Sequence, residues 1–270
     1  LLKIMPAIEI SKLRAKINLL VKLIDNPEQL IQELIDFYES YSDLTFQSGS
    51  FSVKSGNLPA YRTPALMNRE LENVFIKVAA SEPEKILPVI DLLAARSQLE
   101  PRQLACALLG ALPAQYFDQV THRISEWAGK STNSDDLVWV FKLGTKTLRT
   151  ESPETWLKML KTWIDSANAM DHRIAVLGLT SMIDDAALTS LPLIFKFLQP
   201  ILYESNSRNL PYLESILEKL VEKSEKETLF FIKQVLKQSP DPLLIRMLRR
   251  NISIFSPEGQ ESLRSFLRSL

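Results

Sequence analysis

The stretch LPYLESILEKLVEKSEKETLFFIKQVLKQS, residues 210–239, decides the fold class. Four of its apolar residues recur at positions i, i+3, i+4 and i+7, the spacing of one helix face: Leu213, Ile216, Leu217 and Leu220. The same spacing recurs near the amino end, at Ile31, Leu34, Ile35 and Tyr38. We find no alternating strand pattern of useful length, and only seven glycines are available for tight β-turns. The sequence therefore predicts an all-α fold.

Proline positions and apolar spacing together place the predicted helices. Proline suits the first turn of a helix, where its missing N–H would have had no partner. We predict helices over residues 11–24, 27–44, 64–79, 83–95, 101–110, 113–128, 134–149, 153–166, 169–183, 190–204, 208–223, 225–238, 240–251 and 257–268. Pro88 and Pro200 fall inside two of these helices and should bend them.

From residue 113 onward the predicted helices form pairs. The first helices of successive pairs begin near residues 113, 153, 190 and 225, so the starts are 40, 37 and 35 residues apart. This spacing is close to the roughly 40–47 residues of HEAT and armadillo repeats. We therefore predict a HEAT-like α–α superhelix, a solenoid of antiparallel helix pairs whose concave face binds an extended partner. One domain over residues 1–270 is expected, with an irregular loop at about 45–62.

Composition limits the classes of protein to be considered. Basic and acidic residues number 32 each, so the formal net charge of zero gives no long-range field that favours nucleic acid. Cys106 is the only cysteine, which excludes an intramolecular disulfide and predicts a reducing, cytoplasmic setting. No apolar run approaches the roughly 20 residues that cross a bilayer. We expect a monomer without metal, cofactor or membrane contact.

Few residues are available for nucleophilic or metal chemistry. The chain has two histidines, His122 and His172, and lacks the H-E-x-x-H, C-x-x-C and G-x-S-x-G motifs and a phosphate-binding glycine loop. These absences disfavour common hydrolases, kinases, dehydrogenases and zinc enzymes. We expect His122 to be an ordinary, partly exposed helix residue.

Four tryptophans fall within predicted helices: Trp127, Trp139, Trp156 and Trp163. Large aromatic side chains most often fill the space between neighbouring helices, so an interior position is expected for each. Trp139 is the exception to consider, because its apolar neighbours already supply a buried face. A position in a surface groove stays open for it.

Two clusters of basic residues lie at helical spacing on predicted second helices: Lys142, Lys146 and Arg149, and Arg246, Arg249 and Arg250. Such clusters are usually solvated faces. On the second helices of a solenoid, however, they would line the inner surface, where a phosphate backbone could lie. We therefore keep both clusters as candidate DNA contacts.

Two segments resemble those of AlkD-like DNA alkylation repair proteins. WIDSANAMDHRIAVL at 163–177 resembles the family's W-x-x-S-x-N-x-W-x-R-R-x-A segment, and ISEW at 124–127 followed by NSDDLV at 133–138 resembles its N-S-W-W-D-x-V-D segment. The likeness covers roughly residues 80–270. It implies a HEAT-like solenoid whose concave basic face holds duplex DNA. It also implies that active relatives excise cationic N-alkylated bases without a metal or cofactor.

The resemblance also implies that the family's usual site residues are replaced. Its lesion-contacting tryptophans fall on Asp135, Asp136 and Met170, and its catalytic aspartate falls at or near Val140. Arg173, with His172 beside it, keeps the family's basic character, and both are candidate DNA contacts. Asp136 and Trp139 are weak candidates for a rearranged carboxylate and aromatic group, although acidic residues at a helix start need no catalytic explanation.

Three hypotheses follow from these residues. The first is a noncatalytic relative of the DNA alkylation repair glycosylases that binds duplex DNA or a protein through its concave face. The second is an active DNA glycosylase that excises cationic N-alkylated purines. The third is a protein-interaction scaffold without nucleic-acid binding, which the neutral pI near 7.0 allows.

Overall fold

Helices are the only regular elements in the part of the chain that the structure, a computed structural model, describes. That part comprises residues 9–42, 58–130, 134–183, 185, 190–204 and 206–270, without the side chains of 134–136 and 169. The predicted all-α fold class is confirmed. Within the same residues, no helix has the length and apolar character needed to cross a membrane.

The described residues form fourteen α-helices whose bounds follow the predicted ones closely. They are α1 (Ile10–Val21), α2 (Pro27–Ser40), α3 (Ala65–Ser81), α4 (Pro83–Ala94), α5 (Leu99–Leu109), α6 (Phe117–Lys130), α7 (Ser134–Trp139), α8 (Lys146–Glu151), α9 (Pro153–Ile164), α10 (Ala169–Ile183), α11 (Leu191–Tyr203), α12 (Leu210–Gln238), α13 (Pro242–Arg250) and α14 (Pro257–Arg268). Pro27, Pro83, Pro153 and Pro257 begin helices, as their missing N–H groups allow. Ser224 has extended dihedral angles inside α12 (φ −160°, ψ 95°), so the predicted boundary between 208–223 and 225–238 is present there.

The predicted helix 134–149 is wrong as a single element. Residues Val140–Gly144 form a π-helical segment between α7 and α8. Gly110, at the end of α5, lies so close to Leu143 that a Cβ atom there would be 1.9 Å from the Leu143 carbonyl oxygen. The backbone N–H of Thr147 and its hydroxyl both donate to the Gly110 carbonyl oxygen. These contacts hold the last part of the π segment and the start of α8 against the end of α5.

The chain divides into two compact units, unit 1 (residues 1–148) and unit 2 (residues 149–270). The single domain, the superhelix and its concave face stay predictions. Of the predicted loop 45–62, residues 45–57 lie outside the described part, and residues 58–62 have no regular secondary structure.

In unit 1, α5 is the central helix. It packs against α3, α4 and the π segment, and most of its residues are buried, including Leu104, Leu108 and Leu109. Burial of such side chains stabilises the unit by about 1.5–3 kcal/mol for each large aliphatic group. Packing on α5 therefore accounts for a large part of the core of unit 1.

In unit 2, α10 is enclosed by α9, α11 and α12. Trp156 of α9 is fully buried, and its ring lies 6.3 Å from that of Trp163 in an edge-to-face arrangement. The expected interior positions of these two tryptophans are confirmed.

Replacing Gly110 by alanine should lower the free energy of unfolding by about 1–3 kcal/mol, the usual effect of overpacking. The added methyl group would collide with the Leu143 carbonyl oxygen and force α5 away from the π segment. Gly129→Ala is the matched control, because a Cβ atom there meets nothing within 4 Å. It should stabilise α6 by up to about 1 kcal/mol. Urea unfolding followed by circular dichroism measures both, and wild-type stability of G110A would contradict this close approach.

Candidate functional site

A cavity of about 700 Å³ in unit 1 is the candidate site. Side chains of α4, α5, α6 and α7, the π segment and Leu58 line it. Part of this lining is apolar, including Ala94, Ala95, Leu137 and Val140. Cavities of this size and mixed lining are typical of sites that bind small molecules or parts of larger ones.

Two indole rings border the cavity. Trp127 of α6 and Trp139 of α7 are both half-buried, and both line the cavity. The expected interior position is therefore wrong for Trp127, whereas the groove position left open for Trp139 is the observed one. Lys142 extends over the Trp139 ring, with its Nζ atom 5.7 Å from the ring centroid, within the range of a cation–π contact.

The charged groups of the cavity are arranged in ion pairs. Arg123 donates two hydrogen bonds of 2.8 Å to the two carboxylate oxygens of Asp91. Lys130 pairs with Glu126 one helical turn away, and its hydrogen bond lowers the pKa of the Glu126 carboxyl below its ordinary value. Arg102 adds a further cation to the lining. Among the described residues of the lining, the carboxylates Asp91 and Glu126 thus each have a cationic partner.

The segment before α3 closes one side of the cavity through Leu58. It is held by the first turn of α5, where the buried Glu100 carboxylate accepts hydrogen bonds from the backbone N–H groups of Tyr61 (2.9 Å) and Arg62 (2.7 Å). The N–H of Leu99 also donates to the Pro59 carbonyl oxygen at 2.9 Å. These three bonds give this wall a fixed position without a ligand.

Sequence reasoning missed the part of the site that α6 contributes. The cavity-lining residues of this helix follow one stripe at spacings of one, four, five and eight: His122, Arg123, Glu126, Trp127 and Lys130. His122 is exposed, as expected for an ordinary helix histidine, but it also borders the cavity. The signal was present, because a tryptophan within a polar stripe is unusual for a solvated face.

Two of the predicted DNA contacts, Lys142 and Lys146, are exposed in unit 1. The third residue of that cluster, Arg149, is only 5% exposed and pairs with Asp185 at 3.4 Å. Burial lowers the pKa of the Arg149 guanidinium, and Asp185 opposes this shift. Lys146 and Arg149 belong to the same helix, α8, so equal charge and helical spacing do not decide exposure here, and Arg149 is instead enclosed in unit 2 beside Asp185.

Of the predicted DNA contacts in unit 2, some are exposed and others are buried. Arg246, Arg249 and Arg250 of α13 are exposed, and Arg250 pairs with Glu214. His172 and Arg173 are instead buried within unit 2. His172 Nε2 lies 3.1 Å from the Ile164 carbonyl oxygen, and the Arg173 guanidinium lies 5.7 Å from the centroid of the Tyr212 ring.

Of the two weak catalytic candidates, Trp139 and Asp136, only Trp139 has a described side chain. Trp139 lies in the cavity wall, as described above. Asp136 belongs to α7, but its side chain is outside the described residues. Within the described part of the chain, no group of three or more histidine, cysteine, aspartate and glutamate side chains could hold a metal ion.

Comparison with known proteins matches residues 62–238 to the model of a family described as DNA alkylation repair enzyme. This range contains more than half of the 270 residues and every helix that lines the cavity. No curated protein and no solved structure matches the chain.

Replacing Arg149 by methionine should lower the free energy of unfolding by about 2–3 kcal/mol, because the Asp185 carboxylate, only 16% exposed, loses its cationic partner. Lys146→Met removes a lysine near the start of the same helix, α8, but from an exposed position. That control should change stability by less than about 0.5 kcal/mol. Thermal and urea unfolding compare the two, and equal effects would contradict a structural role for Arg149.

Proposed function

The chain belongs to the DNA alkylation repair enzyme family, and we propose that it is a noncatalytic member that binds duplex DNA through the face of unit 1 containing the cavity. The family match includes α4, α5, α6, α7 and the π segment, which are the elements that line the cavity. DNA binding is therefore assigned to a surface within the matched range.

The charges of this face support DNA as the ligand. The cavity lining carries Arg102, Arg123 and Lys130 against two carboxylates, and the exposed Lys142 and Lys146 follow in the next elements. Lysine and arginine side chains contact the phosphates of DNA, and this contact supplies most sequence-independent affinity. The described side chains of this face thus include more cations than carboxylates, although the formal net charge of the whole chain is zero.

Val140 is the observation that carries the noncatalytic part of the proposal. The resemblance places the family's catalytic aspartate at or near this position, and Val140 lies in the cavity wall with 5% exposure. A valine cannot stabilise the positive charge that develops on the sugar when a glycosidic bond breaks. Asp91 and Glu126, the carboxylates that do line the cavity, are bound to Arg123 and Lys130. Their charge is therefore already compensated.

An active glycosylase is the second candidate function, and Trp139 favours it. An indole ring at the cavity wall could lie against a cationic base, since cations are attracted to the face of tryptophan. In this alternative the carboxylate would be Asp136 or Glu126. A protein scaffold without nucleic-acid binding is the remaining alternative. Measurement of duplex DNA binding tests it.

Duplex DNA binding should weaken as salt concentration rises, because bound phosphates release their counterions. Lys142→Gln should reduce the slope of log K against log salt by about 0.9, the effect of one lost phosphate contact. Lys16→Gln is the matched control: Lys16 is also exposed and lies 5.4 Å from the centroid of an aromatic ring, Tyr41, but on α1. It should leave the slope unchanged. Fluorescence anisotropy measures both, and absence of binding at low salt would overturn the DNA proposal in favour of a protein scaffold.

Methylated DNA incubated with the protein should release no free 7-methylguanine, because Val140 supplies no carboxylate. Chromatography of the released bases measures this, with an active glycosylase as the positive control. Release by the wild type that is lost in Asp136→Asn or in Glu126→Gln would show that the protein is catalytic. It would also identify the carboxylate.

A further inference from the structure

We propose that unit 2 binds an acidic segment of a partner protein through a surface centred on Phe230, a residue of α12. This Phe230 surface comprises the phenylalanine ring and four lysines: Lys196, Lys226, Lys233 and Lys237. The segment places one apolar side chain against the ring and carboxylates against the lysines. The interaction goes beyond the proposed DNA binding and does not depend on it, because the surface belongs to unit 2 and the cavity to unit 1.

Phe230 is 66% exposed, more than any other large apolar side chain in the described part of the chain. The packing of its neighbour explains this exposure. Phe231 is only 8% exposed and stacks on Phe195 of α11, with 4.4 Å between the ring centroids. Successive residues of a helix point about 100° apart, so the packing of Phe231 turns Phe230 towards solvent. The Phe230 ring thus contributes little to the core, and its apolar surface is open to a partner.

The lysines of the Phe230 surface are not neutralised by ion pairs. Three of them precede or follow Phe230 by four, three and seven residues and so share its face of α12: Lys226, Lys233 and Lys237. Lys196 is exposed on the neighbouring helix α11. The ion pairs found among the described residues involve none of these four lysines.

The carboxylates near this surface are too few to balance the lysines. Glu227 is exposed on the same side of α12 as Phe230. On the other neighbouring helix, α14, the exposed charges balance one another, with Glu258 and Glu261 against Arg264 and Arg268. The Phe230 surface is therefore cationic, and an acidic partner is complementary to it.

The part of α12 that carries this surface is held at both ends. At its start, the Glu225 carboxylate accepts hydrogen bonds from the N–H (3.1 Å) and the hydroxyl (2.7 Å) of Ser256. At its end, the Gln199 side chain of α11 donates to the Oε1 atom of Gln238 at 3.2 Å. A surface that is already ordered loses little conformational entropy when a partner binds, which favours affinity.

The number of open rings favours a peptide over single-stranded nucleic acid. Proteins that bind single strands stack successive bases on several aromatic side chains. Here one face of the half-buried Phe195 is covered by Phe231. Lys233 extends over the half-buried Phe266, with its Nζ atom 5.8 Å from the ring centroid. Of these rings, only Phe230 is broadly exposed, so the surface has room for one apolar contact.

A membrane surface is disfavoured for a related reason. Helices that lie in a membrane interface present a broad apolar face to the lipid. The positions next to Phe230 on its face of α12 are instead polar or charged: Lys226, Glu227, Lys233 and Gln234. One apolar contact inside a polar rim is the pattern of a protein interface with a single anchoring side chain. The occupant is therefore a peptide segment with one apolar residue among carboxylates.

Peptide binding measured by fluorescence anisotropy tests this inference. The probes are labelled peptides in which one phenylalanine, leucine or tryptophan stands between runs of aspartate, and asparagine replaces aspartate in the control peptides. The full chain should bind at least one aspartate peptide, and its asparagine counterpart about tenfold more weakly. Phe230→Ser should weaken binding about tenfold, the effect of one anchoring contact. Lys226→Gln and Lys237→Gln should each weaken it about threefold and reduce its salt dependence.

Two further variants separate the anchoring contact from other effects. Phe230→Leu keeps an apolar side chain and should keep most of the peptide affinity, whereas a site for base stacking would lose its ligand. Leu19→Ser is the matched control, because Leu19 is also 59% exposed but lies on α1 in unit 1, and it should leave peptide affinity unchanged. Phe230→Ser should keep the circular dichroism and the duplex DNA binding of the wild type.

Absence of binding to every aspartate peptide at low salt would overturn the inference. Equal peptide affinity of the wild type and Phe230→Ser would overturn it as well. Tighter binding of single-stranded DNA, or of vesicles that contain an anionic lipid, with the same dependence on Phe230 would overturn it in favour of that ligand. Each of these results concerns unit 2, so the proposed duplex binding by unit 1 would stay in place.

Discussion

The arrangement of the cavity depends on one close backbone contact, between Gly110 at the end of α5 and the carbonyl group of Leu143. The missing side chain at Gly110 allows this approach, and Thr147 strengthens it with two hydrogen bonds to the Gly110 carbonyl oxygen. The backbone next to this contact forms the π segment Val140–Gly144. Trp139 and Val140 consequently lie in the wall of the cavity rather than on a continuous helix that faces solvent.

Apolar periodicity predicted nearly every helix, because each has one face that packs on its neighbours. The boundary at Ser224 was also predicted, although the two flanking segments are otherwise continuous. The prediction failed between residues 134 and 149 for a physical reason. The π segment lies against Gly110, about thirty residues earlier in the chain, and the apolar spacing within a segment contains no information about such a contact.

The candidate site was predicted less completely than the fold, because charge alone does not tell whether a side chain is exposed. Lys142 was identified as a candidate, yet Arg149 and Arg173, which have the same charge, are buried by the packing of unit 2. The stripe on α6 was missed for the opposite reason. Glu126 and Lys130 form an ion pair that resembles an ordinary solvated face, and the cavity appears only when α4 and α5 are placed opposite them.

Burial of residues 172–176 within unit 2 limits the substitutions that this segment can accept during evolution. The family-like segment from Trp163 to Leu177 has its basic residues enclosed by the helices around α10. A substitution there would disturb folding before it reached any ligand, so selection for a stable core is sufficient to retain the signature. The exposed residues of the unit 1 cavity wall, such as His122, Glu126 and Lys130, are under no such restraint. One architecture can therefore pass to descendants whose ligand preferences differ from those of their ancestor.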